Sequence, residues 1–132
     1  MSYLEEARTR FAEDLFATEA TGIVIEEADV NYAKCRLTIQ KKHQNAAGAV
    51  MGGAIYTLAD FTFAVAANTG NPLTVSQTGT VTYLGGAKGK ELIAEAKCVK
   101  SGRSTCFFLI EVKDELGTLV ANVGISGFRK DG

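Results

Sequence analysis

Residues 32 to 40 alternate strictly between apolar and polar, with Ala33, Cys35, Leu37 and Ile39 on one side and Lys34, Arg36, Thr38 and Gln40 on the other. A period of two belongs to a strand with one buried face. Another strand, over Ile23 to Asp29, precedes it. Further upstream the period is helical: Leu4, Ala7, Phe11 and Leu15 share one stripe, and Ser2-Tyr3-Leu4-Glu5 has the spacing of a capping box. This predicts a single amphipathic helix that ends before Gly22.

From 43 to 72 the chain reads HQNAAGAVMGGAIYTLADFTFAVAANTGNP, and its later part is apolar nearly all round a helix, through alanines, Ile55, Leu58, Phe61 and Val65. A helix with no polar side has to be buried. It starts near Gly52-Gly53 and stops at Gly70, suited to a left-handed cap, and Pro72, which cannot continue it. Tyr56 and Phe63 fall on this helix as core residues. Beyond it, β-branched and aromatic residues predict strands at about 73 to 84, 90 to 100, 104 to 113 and 118 to 129, separated by GGAKG, SGR and DELG turns. Successive strands at that spacing predict an antiparallel meander, in which Phe107, Phe108, Leu109 and Ile110 make one strand apolar on both faces, for core and interface.

The order helix, two strands, buried helix, four strands has no βαβ alternation and no internal repeat, so the fold class is α+β. Burying the central helix in so short a chain requires a curved antiparallel sheet of about six strands wrapped round it, with the N-terminal helix outside. Residues 1–132 suffice for one domain with one core. A slightly positive mean hydropathy of +0.06 leaves apolar surface for a second copy to cover, which predicts a homo-oligomer.

Composition narrows the function. The apolar fraction of 46% and charged fraction of 22% are those of a folded soluble domain. A net charge of −1, with both signs scattered, provides no footprint for nucleic acid or an anionic membrane. Cys35, Cys98 and Cys106 match neither a metal knuckle nor a redox pair and read as buried free thiols of a reducing compartment. The first sixteen residues carry six charges, unlike a secretion signal, so the expected location is cytoplasmic. With a single histidine, His43, no multi-histidine metal site is expected.

Over the 42 residues from Ala46 to Ala87, Asp60 is the one group that titrates between about pH 3 and 9. It falls in the middle of the apolar helix, where an unpaired carboxylate costs several kcal/mol. Either it is a structural aspartate satisfied by backbone amides, or it is functional. The segment before it bears on the choice. Asn45, Gly48, Gly52 and Gly53 form a small-residue loop running into a helix N-terminus, where free N–H groups favour an anion or a developing oxyanion. The run GAVMGGA lacks the lysine and hydroxyl of a phosphate-binding loop, which argues against nucleotide hydrolysis.

The series H-x-N-x-x-G-x-x-x-G-G-x-x-x-x-L-x-D, carried by His43, Asn45, Gly48, Gly52, Gly53, Leu58 and Asp60, resembles the hotdog-fold thioesterases of the phenylacetate-degradation type. The likeness extends to the flanking strands and to Gly117–Ala121. It implies a long helix wrapped by a curved antiparallel sheet, hydrolysis of acyl-CoA thioesters, and a dimer or dimer of dimers with sites between subunits. It further implies that Asp60 activates water or attacks the thioester, that Gly52 offers its N–H to the oxyanion, and that Asn45 orients the water or the carbonyl. Ser76 falls where relatives hold the water, and each site would combine Asn45 and Gly52 of one subunit with Asp60 of the other. Met51 departs from the pattern, which has histidine before the glycine pair; the backbone amide is unaffected.

Coenzyme A enters as part of the substrate, and no other cofactor and no metal is expected. Gly53, together with Lys88, Lys90, Lys100 and Arg103, is assigned to substrate binding, although the four cations could equally be solvated charges at strand ends. His43 beside Lys41 and Lys42 reads as a solvated or loop-bonding histidine. The alternative to an enzyme is a hotdog module that binds acyl-CoA or lipid without turnover. A hydratase would need an Asp and His close together near the helix, and no histidine follows His43.

Overall fold

The computed structural model describes residues 1–130. Helix α1 (Tyr3–Phe11) is followed by a π-helical turn (Phe16–Thr21), strands β1 (Ile23–Asp29) and β2 (Tyr32–Thr38), a 3₁₀ turn (Lys41–His43) and helix α2 (Gly52–Asn68). Strands β3 (Thr74–Tyr83), β4 (Glu91–Ser101), β5 (Thr105–Asp114) and β6 (Leu119–Arg129) complete the chain. All pairings are antiparallel, in the order β1-β2-β4-β5-β6-β3. The curved sheet wraps α2, as expected for α+β with a central helix. The expected strand boundaries hold within two residues, and the last two residues of the expected domain lie outside the described part.

Two expectations need correction. The N-terminal helix is not continuous: α1 ends at Phe11, and the chain re-enters as the π-turn, in which Gly22 N–H reaches back to Ala17 O at 3.1 Å. The capping box does form at Ser2 and Glu5, and Ala7 and Phe11 are buried, but Leu15 is off the stripe and exposed. Phe11 meets Phe61 of α2 edge-on at 5.7 Å, and Arg8 donates to Ile25 O at 3.0 and 2.8 Å, so α1 is already anchored before Leu15 is reached. The four later strands are also not one meander. Strands β4, β5 and β6 are, whereas β3 pairs with β6 at the far edge, because α2 carries the chain across the concave face before β3 begins.

Residues alternate in and out along the sheet as the period of two requires. Phe108, Ile110 and Val112 line the core while Leu109 faces outward, and Phe63 packs edge-on against Phe108 at 5.4 Å. Cys35 and Cys106 are buried, but Cys98 is half-buried. Helix α2 is not enclosed on every side either: Gly53 is exposed, and Tyr56, Thr57, Asp60 and Ala64 are half-buried along one stripe. Strand β3 is an edge strand, exposed along most of its length on both faces.

Each end of the barrel-like wrap is closed by a polar cluster. Where α2 ends, Gly70 takes a φ of +66°, and the buried Arg129 guanidinium donates to Ala67 O, Thr74 Oγ1, Asn31 Oδ1 and Ser101 Oγ. Where α2 begins, buried Asp114 accepts the N–H groups of Lys88, Gly89, Leu116 and Thr118, and Glu115 those of Lys90 and Glu91. Burial works to raise the Asp114 carboxyl, but the N–H groups of Lys88, Thr118 and Gly89 outweigh it and hold it at about 2. A depressed carboxyl contributes stability above the ordinary aspartate range and loses it as pH falls through the folded value. Asp114→Asn, which keeps one acceptor oxygen, is therefore expected to lower the urea midpoint at pH 7 and to cost progressively less as pH approaches 2. Equilibrium unfolding across that range checks it.

Candidate active site

The approach to α2 is built by a loop folded on Asn45. Its side-chain oxygen accepts Ala47 N–H at 3.0 Å and Ala49 N–H at 3.2 Å, and Gly48 closes the turn at a φ of +87°, where a side chain would be strained. Met51 N–H then bonds His43 O at 2.8 Å, and the helix begins at Gly52. Met51 supplies no side-chain cap. Among the described residues no acceptor meets the N–H groups of Gly52 and Gly53, which leaves two donors at the positive end of a 17-residue helix.

Asp60 lies on the same helical stripe, eight residues further on. Its carboxyl has no hydrogen-bond or ion-pair partner among the described residues, and burial pushes it above the ordinary aspartate range. A structural aspartate would be satisfied by backbone amides, as Asp114 is; Asp60 is not. A carboxyl raised by burial and engaged by no partner is free to take a proton, which suits a general base.

Two tyrosines missed in the sequence stand beside these groups. Tyr83, at the end of β3, donates to Gly52 O at 2.9 Å, and a Cβ at Gly52 would meet the tip of its ring at 2.9 Å, so a side chain there would push the Tyr83 hydroxyl aside. Tyr56, one turn before Asp60, lays its hydroxyl over Gly79 of β3. Burial raises that hydroxyl, and the charge of Asp60 raises it further. The four-residue spacing of Tyr56 and Asp60 on a helix was the available signal for one of them; the contact of Tyr83 with Gly52 spans 31 residues and has no local signature.

The other expected site residues fall in different places. Gly53 and Met51 line a groove of about 390 Å³ with Phe16, Lys42, His43 and Thr57, and Asp60 opens into an adjoining one of about 350 Å³ with Leu15, Phe16 and Thr57. Ser76 is exposed on β3, near its start, and lines neither groove. The four basic residues do not gather. Lys88 and Lys90 sit on the loop that leaves Tyr83, at the end of the sheet where α2 begins. Lys100 and Arg103 lie at the other end of β4, an eleven-residue strand, hence about 30 Å away. A larger hollow of about 510 Å³ sits on the outer face of the sheet around Lys97, Leu109 and Glu111, away from both the helix start and Asp60.

His43 is buried and loop-bonding rather than solvated. Its Nδ1 accepts Gln40 N–H at 2.9 Å and its Nε2–H donates to Thr21 O at 2.7 Å, the tautomer these partners require. It thereby ties the π-turn to the start of α2. His43→Ala leaves Thr21 O without a partner in a buried place and releases Gln40 N–H, and a loss of about 1–3 kcal/mol in unfolding free energy is expected by chemical denaturation. Among the described residues no cluster of His, Cys, Asp and Glu could hold a metal, and no helix is long and apolar enough to cross a membrane.

Comparison with known proteins bears on the same region. A family model described as the Thioesterase superfamily matches residues 47–121, which contain Gly52, Asp60 and Tyr83. A "Putative esterase" of Archaeoglobus fulgidus is 40% identical over 96 residues, 72% of this chain and 62% of its own length. The aligned stretch thus spans less than two thirds of that relative. A "Putative esterase" of Deinococcus radiodurans is 30% identical over 107 residues, 81% of this chain and 73% of its own. The Escherichia coli PaaI protein of the phenylacetic acid degradation operon superposes with a TM-score of 0.85 at 25% identity, covering 98% of this chain and 97% of the other.

Proposed function

We propose that this chain, which belongs to the thioesterase superfamily and has its hotdog fold, hydrolyses acyl-CoA thioesters to a carboxylic acid and coenzyme A. The observation that carries the reading is the half-buried Asp60 carboxyl, without a partner among the described residues, in a fold that also leaves the Gly52 and Gly53 amides free at the start of α2. Asp60 takes a proton from water as it attacks the thioester carbonyl, or attacks directly; the oxyanion is met by Gly52 N–H. The departing sulfur needs no strong acid, because a thiol near pKa 8.5 leaves as thiolate where an alkoxide would not. One oxyanion donor accounts for about 3 kcal/mol of barrier. Asn45 Nδ2 remains available to orient the carbonyl or the water, since only the side-chain oxygen is engaged in its loop.

Distance along the helix supports a site shared between copies. Gly52 and Asp60 are eight residues apart, about 12 Å of rise, and cannot both lie within about 3 Å of one carbonyl carbon. A site therefore takes Gly52 and Asn45 from one copy and Asp60 from another. The open edge of β3, unpaired on one side and exposed on both faces, suits pairing with the same strand of a second copy. Exposed Leu109 on the outer face suits a further contact that pairs dimers. Lys88 and Lys90, at the end of the sheet where α2 begins, would meet the phosphates of coenzyme A.

Two measurements test this. Matched thioester and oxygen-ester substrates should show strong preference for the thioester; equal rates on both would make the protein a general esterase. Co-refolding Asn45→Ala with Asp60→Asn in equal amounts should recover about a quarter of wild-type activity, because half the dimers then carry one intact site of two. Mixed dimers without recovered activity would place both residues in one subunit's site.

A further inference from the structure

We infer that the π-turn and the residue before it form the acyl-binding wall of the site, with Phe16 and Leu15 selecting apolar acyl groups larger than acetyl; this rests on the proposed thioesterase reading. Leu15 and Phe16 are 56% and 71% exposed, side by side, at the point where the chain departs from the α1 stripe. Such exposure of neighbouring large apolar residues is costly unless something covers them. Single π-turns are frequent at functional sites.

The geometry says what covers them. Phe16 and Thr57 line both grooves, so the two adjoin and run along α2 from Gly53 to Asp60 and Ala64, with the π-turn as one wall. The wall is held in place rather than loose: His43 fixes Thr21 O at 2.7 Å and Thr18 bonds back to Asp14 O at 3.0 Å. Asp60 opens into the groove among Leu15, Phe16, Phe61 and Ala64. A molecule seated there has its reacting carbon at a carboxylate and the remainder against apolar side chains, which is the chemistry of an acyl thioester carrying a hydrocarbon tail. A second copy of the chain already has the β3 edge to pair with, and no residue of β3 lines either groove.

The test reads binding, not turnover, so it stands even if the protein proves not to hydrolyse. S-alkyl coenzyme A thioethers, which have no carbonyl to attack, are titrated by calorimetry in ethyl, butyl, hexyl and octyl forms. For the wild type, Kd should fall up to about four-fold per methylene as the tail buries, until the groove is full. Phe16→Ala and Leu15→Ala should flatten that dependence while leaving ethyl-coenzyme A affinity within two-fold or so of wild type, since these side chains are exposed and support no core. The inference is overturned by equal per-methylene gains in wild type and both variants, by uniform weakening at every length, or by no binding at any length. Failure of hydrolysis with retained length selectivity would instead strike the thioesterase reading alone.

Discussion

Asp60→Asn is expected to lower kcat by at least about 100-fold, the lower end of what a positioned general base contributes, with little change in substrate affinity. The same substitution should raise stability at neutral pH. Burial holds the Asp60 carboxyl above the ordinary aspartate range, so the folded chain binds its proton more tightly than the unfolded one. Ionisation therefore costs folding free energy, and the cost grows as pH rises from the ordinary aspartate range through the raised folded value. An asparagine never incurs it. Urea unfolding should show the variant ahead of wild type at pH 7 and level with it at pH 3, the pattern of a group kept for activity at the expense of stability. The wild-type rate should climb from an acid limb displaced above the ordinary aspartate range to a plateau. An unchanged kcat in the variant would remove Asp60 from the chemistry.

Arg129→Met should be among the most destabilising single changes in the chain, by about 4 kcal/mol, with activity lost through unfolding rather than through the site. Arg129 is 3% exposed and has no carboxylate partner among the described residues. Its charge is answered instead by the carbonyl end of α2 at Ala67, which carries the negative pole of the helix, and by Thr74, Asn31 and Ser101. Methionine fills much of the volume but withdraws all four hydrogen bonds, leaving buried Thr74 Oγ1 without its donor and Ala67 O and Asn31 Oδ1 with the Asn71 amide alone. Arg129→Lys, which keeps the charge without the fork, should fall between. Chemical denaturation of the three proteins orders them, and a Met variant within about 0.5 kcal/mol of wild type would show that the network carries no stability.

What could be read from the sequence was local. The strict alternation around Cys35 and the Ser2–Glu5 box each depend on neighbours within a few positions, and both elements begin where expected. The start of α2 at Gly52 and its stop at Gly70 were legible for the same reason. Strand order was not, because β3 next to β6 is decided by where α2 delivers the chain and by pairings such as Tyr83 with Ala121. Nor was the break after Phe11: the helical stripe continues on paper to Leu15, but anchoring by Arg8 and Phe11 is complete before it. The site was half legible. Asp60 showed itself as the lone titrating group of an apolar stretch, whereas the contact of Tyr83 with Gly52 and the wall formed by Phe16 depend on long-range packing. Lys88, Lys90, Lys100 and Arg103 flank consecutive turns in the sequence, but the length of a strand separates the first two from the last two in space.

The most direct measurement is the release of free coenzyme A by purified protein from saturating butyryl-, octanoyl- and benzoyl-coenzyme A, with binding of each followed in the same samples. The expected result is thiol appearing in step with free acid over many turnovers, in the wild type but not in Asp60→Asn, while both proteins bind the substrates. Wild-type protein that binds the acyl-coenzyme A and releases no thiol above the Asp60→Asn level would contradict it and leave a binding module in its place.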